Sequence, residues 1–249
     1  MKKILLALGL FATLNVNAQD KQVKDIMGDE GMQQLLAMMG GGAEVEPVYT
    51  FPATLNMVVQ GYKNGKPQSP TNLAIYINND KGYFGTKPLD KDEASDMLMI
   101  FKAETGDVVM LNEKEKTAFA MNTSTIMQSD MIKGIAEDSK KDAADVKCNK
   151  TGKTKTINGY PCEQYVCENA AKQGRYEMWV TNKIKIDLLN SMKDNPFAIY
   201  FSKVENVGGM LMQGDFYEKG EQVAHIEVKN VNEKANISIK TAGFKKSMH

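Results

Sequence analysis

The sequence predicts an α+β protein built on a curved antiparallel sheet, an open or half barrel of about ten strands, with helices packed on its concave face. Three observations predict it. Apolar residues recur with period two in short runs punctuated by Asn-Gly and other Gly-containing turns. Separate stretches carry their apolar residues at helical spacing. The period-two runs also follow one another directly, as a meander does, instead of alternating with helices as in a parallel sheet.

Taken in order, Lys2 and Lys3 precede a short apolar run, Ile4 to Leu14, and then Val16-Asn17-Ala18. That is the form of a signal peptide over residues 1–18, cleaved before Gln19. A periplasmic or secreted location is therefore expected. The run is shorter than the roughly 20 apolar residues a bilayer requires, and no transmembrane segment is expected after cleavage. Residues 19–43 read as an amphipathic helix and a Gly-rich joint. Val23, Ile26, Met27, Met32, Leu35, Leu36 and Met39 form its apolar side, and Gly40-Gly41-Gly42 stops it.

Residues 44–249 read as one antiparallel-sheet domain with helical insertions. Phe51, Ala53, Leu55, Met57 and Val59 alternate with more polar neighbours up to the turn Lys63-Asn64-Gly65-Lys66. Leu73, Ile75 and Ile77 lead to a turn ending at Gly82. Met97, Met99 and Phe101 form the next strand, Val108 to Leu111 the return, and Thr117, Phe119 and Met121 another pass. Residues 123–140 break the meander with a helical pattern. After a Cys-bearing hairpin, Tyr176, Met178 and Val180 form a strand, and helical spacing resumes beyond Asn182, with Asn195 and Pro196 as a start signal. Gly208-Gly209 ends that stretch. Met210, Met212 and Phe216, then Ala224, Ile226 and Val228, then Ile237 and Ile239, return to strands.

Three cysteines in an exported chain imply one disulfide and one spare thiol. Asn158-Gly159 marks a hairpin tip with arms of about Asp145 to Ile157 and Tyr160 to Glu168, which sets Cys148 opposite Cys167. Cys162 and Cys167 lie five apart on one strand, too far to bond at about 3.3 Å rise per residue. The predicted bridge is Cys148–Cys167.

Thirty-one basic and 31 acidic side chains leave no net charge, and sign-alternating runs such as Asp90-Lys91-Asp92-Glu93 read as solvated loops, so no nucleic-acid partner is expected. Only two His occur, His225 and His249. Nucleophile–base sets and zinc sites ordinarily require more, so no catalytic residue, metal or cofactor is assigned and the chain is not expected to be an enzyme. His225 reads as a strand residue with a solvent or backbone partner. Methionine is abundant at 17 residues. The pairs Met97/Met99 and Met210/Met212 offer thioethers that a soft cation such as Cu(I) accepts, but without His or Cys reinforcement they fit apolar packing better.

The stretch from Gly152 to Tyr165, containing Ile157-Asn158-Gly159-Tyr160-Pro161-Cys162-Glu163-Gln164-Tyr165, is followed by Tyr176-Glu177-Met178-Trp179-Val180-Thr181. It resembles a family of secreted bacterial proteins known only as a domain of unknown function, in which an I-x-G-Y-x-C-x-x-Y hairpin precedes a strand ending in W-V. More distantly, the element order and the closing Thr241-Ala242-Gly243-Phe244-Lys245 resemble the periplasmic lipoprotein-carrier (LolA/LolB-like) superfamily. That resemblance implies a curved sheet folded around helices with an apolar cavity between them.

The function expected is non-catalytic, with a lipid or other apolar ligand, such as a lipoprotein acyl chain, bound or carried in the periplasm. Its expected lining is Leu55, Met57, Val59, Leu73, Ile75, Met97, Met99, Phe101, Met210 and Met212. The alternative is a structural or protein-interaction module of the cell envelope, with a filled core and an envelope protein as partner.

Overall fold

The computed structural model describes residues 43–90, 96–102, 104–122, 146–170, 173–184 and 209–247. Fifteen strands follow one another along these segments: β1 (Val48–Phe51), β2 (Ala53–Lys63), β3 (Lys66–Pro67), β4 (Thr71–Asn78), β5 (Tyr83–Pro88), β6 (Met97–Lys102), β7 (Asp107–Asn112), β8 (Thr117–Asn122), β9 (Val146–Ile157), β10 (Tyr160–Asn169), β11 (Gly174–Thr181), β12 (Met210–Glu218), β13 (Glu221–Asn232), β14 (Ile237–Lys240) and β15 (Lys245–Ser247). One large sheet has the order β15-β8-β7-β6-β5-β4-β2-β13-β12-β11-β10-β9, with β3 paired to β2, and β1 and β14 form a separate ribbon. Two meanders are thus joined where β13 pairs antiparallel with β2. The sheet does not close. One edge is the three-residue parallel strand β15 and the other is β9, which carries Lys147, Lys150, Lys153 and Lys155 and no carboxylate.

Turn chemistry sets much of this register. Asn64-Gly65, Asn158-Gly159 and Lys219-Gly220 each hold two consecutive residues at positive φ, the two-residue hairpin geometry whose twist matches that of the flanking strands. The β9–β10 arms agree with the hairpin read from sequence to within a residue, and Cys167 faces Cys148 in the ladder. The two sulfurs are bonded, with Cα atoms 3.9 Å apart.

The expected fold class is overturned. Among the described residues the chain is nearly all strand and contains no helix, and no helix packs on the concave face. The main sheet has thirteen strands, not about ten. Residues 1–42, which include the expected signal peptide, helix and Gly-rich joint, and the helical patterns at 123–140 and 185–207, lie outside the described residues. What covers one face of β4–β8 is instead the β1–β14 ribbon. Tyr49 and Phe51 from the ribbon, Tyr83, Leu98, Ile100, Val109, Leu111 and Ala118 from the sheet, and Phe244 form a single buried cluster.

The separate ribbon exists because Pro52 ends β1. Proline has no N–H to donate, so it breaks a strand that alternation alone would run from Phe51 to Val59. Phe51 enters the ribbon cluster, whereas Ala53 and Leu55 enter the cluster on the other side. The expectation that these residues share one face is corrected at that point. Hydrogen bonds fix the ribbon: the Thr50 N–H donates to the Tyr83 hydroxyl, and the Asn78 amide donates to the Thr50 carbonyl. Tyr49 and Phe51 meet the Tyr83 ring edge-on at 5.8 and 5.4 Å between centroids.

Curvature is strongest in the second meander. The β9–β10 tip is separated from β13 by two intervening strands beyond β10, so on a flat sheet β9 and β13 would stand about 19 Å apart at 4.8 Å per strand. Yet the Asn158 side-chain amide donates to the Val228 carbonyl at 2.5 Å and the Tyr160 hydroxyl bonds Glu233. Bulges permit the bend. Register shifts occur at Val228/Asn230 in β13 and at Trp179/Val180 against β12, and β12 stops pairing with β13 at Gln213/Glu227. Past that point Met210 and Met212 turn into the same cluster as Leu55, Leu73, Ile75 and Ile77, with Ile157 and Tyr160 of the hairpin tip packed against it.

Candidate functional site

Strand alternation assigns opposite faces of β6–β8 to different neighbours. Leu98 and Ile100 point to the ribbon and are fully buried, while Met97, Met99 and Phe101 point the other way and remain half-buried. Register extends that second face into two rows. One runs Leu55, Ile75, Thr86, Met99, Met110, Phe119, and the next runs Ala53, Ile77, Phe84, Phe101, Val108, Met121. Phe84 and Phe101 stack at 4.8 Å. Five inter-strand spacings of about 4.8 Å make each row about 24 Å long. It is apolar from end to end apart from the buried Thr86.

The ten expected lining residues divide by position. Leu55, Leu73, Ile75, Met210 and Met212 are buried members of one core cluster, against which Met57 and Val59 pack while staying half-buried. Met97, Met99 and Phe101 lie outside that cluster, further along the same face, with Met99 two strands from Ile75 through Thr86. Met57, Val59, Met97, Met99 and Phe101 form the half-buried surface of that face. Met110, Phe119 and Met121 belong to that surface and were recognisable from the same period-two pattern.

At the border of the core cluster stands a polar group that sequence reasoning missed. Lys155 on β9 places its Nζ 4.2 Å from the centroid of the Trp179 ring and 2.5 Å from Gln213 Oε1. Its ladder partner is Cys162, which is fully buried in that cluster. Burial pushes the Cys162 thiol up, against smaller opposing effects of the Ile157 backbone and the Lys155 charge, so the thiol stays protonated. Counting outward from Asn158-Gly159 pairs Lys155 with Cys162, and that count was the signal available in the sequence.

His225 is a strand residue, as expected, but its partner is a side chain rather than solvent or backbone. Its Nδ1 lies 2.8 Å from Asp215 Oδ1, its ladder partner on β12, and its Nε2 lies 3.8 Å from Glu227 Oε2. Gln222 donates to the same Asp215 oxygen and Lys229 holds Glu227 at 2.6 Å. Asp215, His225 and Gln222 thus form a polar link across β12 and β13. Among the described residues no group of three or more His, Cys, Asp or Glu side chains is arranged to hold a metal ion.

The chain belongs to the family described as a domain of unknown function (DUF4412), whose model matches residues 62–196. No curated protein matches it. Among solved structures, a PNGF-II structure is similar at 15% identity and a TM-score of 0.35, covering 77% of this chain but only 29% of PNGF-II. An uncharacterized conserved protein from Thermus thermophilus is similar at 9% identity and 0.39, over 75% of this chain and 81% of that one. The LolA superfamily protein NE2245 from Nitrosomonas europaea gives 8% and 0.29, over 79% and 90%. Likeness of this degree leaves function to be argued from the site itself.

Proposed function

We propose that the chain is an exported, non-catalytic binding protein that holds an acyl chain, from a lipid or a lipoprotein, against the β2–β8 face. One observation carries this reading: the register rows that run unbroken from Leu55 and Ala53 to Phe119 and Met121 end in half-buried thioethers and rings, while the opposite face of β4–β8 is covered by the ribbon. Methionine side chains are flexible and polarizable, and repack around chains of varied length. Each methylene removed from water contributes about 0.8 kcal/mol, so a few along such a row suffice for measurable affinity. The Cys148–Cys167 bridge supports an oxidising compartment.

The test is organic extraction of the purified chain, with mass spectrometry of the extract, followed by titration with dodecan-1-ol read by Trp179 emission. Trp179 is the only tryptophan. A bound lipid, or saturable dodecanol binding weakened about tenfold or more by Met99→Glu through burial of an unpaired charge, supports the reading. An empty extract together with no saturable binding overturns it.

A further inference from the structure

Three lysines are half-buried among the described residues: Lys87, Lys102 and Lys155. Lys87 is paired with Glu113 at 2.5 Å and Lys102 with Glu46 at 2.9 Å. That is the usual arrangement, because a partly desolvated ammonium needs a counter-charge. Lys155 has none. Its contacts are the neutral Gln213 amide oxygen and the face of Trp179. By register the nearest carboxylate is Glu163, paired with the neighbouring Thr154 and so on the other face of the hairpin, where Lys150 holds it at 2.6 Å; Glu227, opposite Gln213, is held by Lys229.

From this we infer that Lys155 is the counter-ion for the head of the bound molecule, and that the ligand is a single-chain carboxylate of the fatty-acid type. The inference rests on the proposed acyl-binding face and names its substrate class. Two neighbouring donors define the chemistry. The ammonium has hydrogens beyond the one given to Gln213, and the Gln213 NH₂ stands beside it with its oxygen already engaged. One cation and one amide donor match the single charge and two oxygens of a carboxylate. A dianionic phosphate would leave a charge uncompensated. Position agrees with chemistry: Trp179, which lies under the Lys155 ammonium, packs against the same core cluster as Met57 and Val59, the half-buried end of the proposed acyl face.

Dodecanoate and dodecan-1-ol, which share a tail and differ in the head, separate the two layers of this argument. With the full wild-type chain at neutral pH, dodecanoate should bind about tenfold more tightly than the alcohol, the difference expected of one charge-assisted contact. Lys155→Gln should remove that preference while leaving dodecanol binding within about twofold, and Lys155→Arg should retain most of it. Equal binding of both probes by the wild-type chain, or a Lys155→Gln chain that keeps the preference, overturns the assignment of Lys155 and leaves the apolar face standing. Failure of both probes likewise overturns the assignment of Lys155, and together with an empty extract it overturns the acyl-binding reading itself. Should Lys155→Gln not fold, the wild-type preference and its decline from 0.05 to 0.5 M salt decide, since a carboxylate–ammonium contact is screened and an alcohol contact is not.

Discussion

Removing the Cys148–Cys167 bridge is the perturbation whose magnitude follows most directly from the structure. The bonded residues are 19 apart in sequence, and closing a loop of that size in the unfolded chain removes entropy worth about 3 kcal/mol. Cys167 is fully buried against Met178 and Val180, so Cys148→Ala/Cys167→Ala also loses some packing. For a chain of this length each kcal/mol corresponds to about 2–4 °C, giving an expected fall in Tm of about 6–12 °C. Differential scanning calorimetry of the oxidised wild-type and doubly substituted proteins measures it, with Cys162→Ala as the control that keeps the bridge. A fall of less than about 2 °C, or an equal fall in the control, refutes the view that the bridge contributes by constraining the unfolded chain.

Burial pushes the Tyr49 phenol up to about 12, with the Glu46 N–H bond to its oxygen acting the other way. An unfolded phenol ionises near 10, so the stability tied to neutral Tyr49 is complete below about pH 10 and lost as pH rises through 12. Tyr49→Phe should therefore flatten the decline in urea midpoint between pH 10 and 12, and an unchanged slope would count against it. Asn158→Ala loses the bond to Val228 and a residue suited to its positive φ, and should cost about 1–2 kcal/mol in chemical denaturation. Asn158→Gly, which keeps the backbone geometry, should cost less. Gly209 sits at φ 124°, where an added Cβ would lie 2.6 Å from the Thr181 carbonyl oxygen. Gly209→Ala should thus destabilise by about 2 kcal/mol or more, which a shift in urea midpoint would measure.

Local features of the fold were legible where chemistry is local. Asn158-Gly159 dictates a two-residue turn, the turn dictates register, and register places Cys148 against Cys167. The alternation of Met97, Met99 and Phe101 likewise identified one face of β6 correctly. Long-range pairing was not legible. Nothing in the short segment Val48–Phe51 indicates that its partner is Ile237–Lys240, nearly the whole domain away, or that Tyr49 and Phe51 would cover the sheet where helices were expected. The bulges in β12 and β13 were equally silent, because an extra residue such as Lys229 looks like any polar residue in an alternating run. Those bulges bring Met210 and Met212 to Leu55 and Ile75, and the bend that accompanies them brings the β9–β10 tip, and with it Lys155, to the border of that cluster.

The exposed margin at β9 has a consequence for how these molecules meet one another. A long strand with one side of its backbone unpaired is a template for polymerisation. Two molecules zipping along Val146–Ile157 would bring two rows of ammonium groups into one seam, Lys147 and Lys153 among them. The lysines therefore oppose that contact: exchanging Lys147 and Lys153 for threonine would leave every intramolecular strand pair intact and yet favour edge-to-edge pairing into dimers.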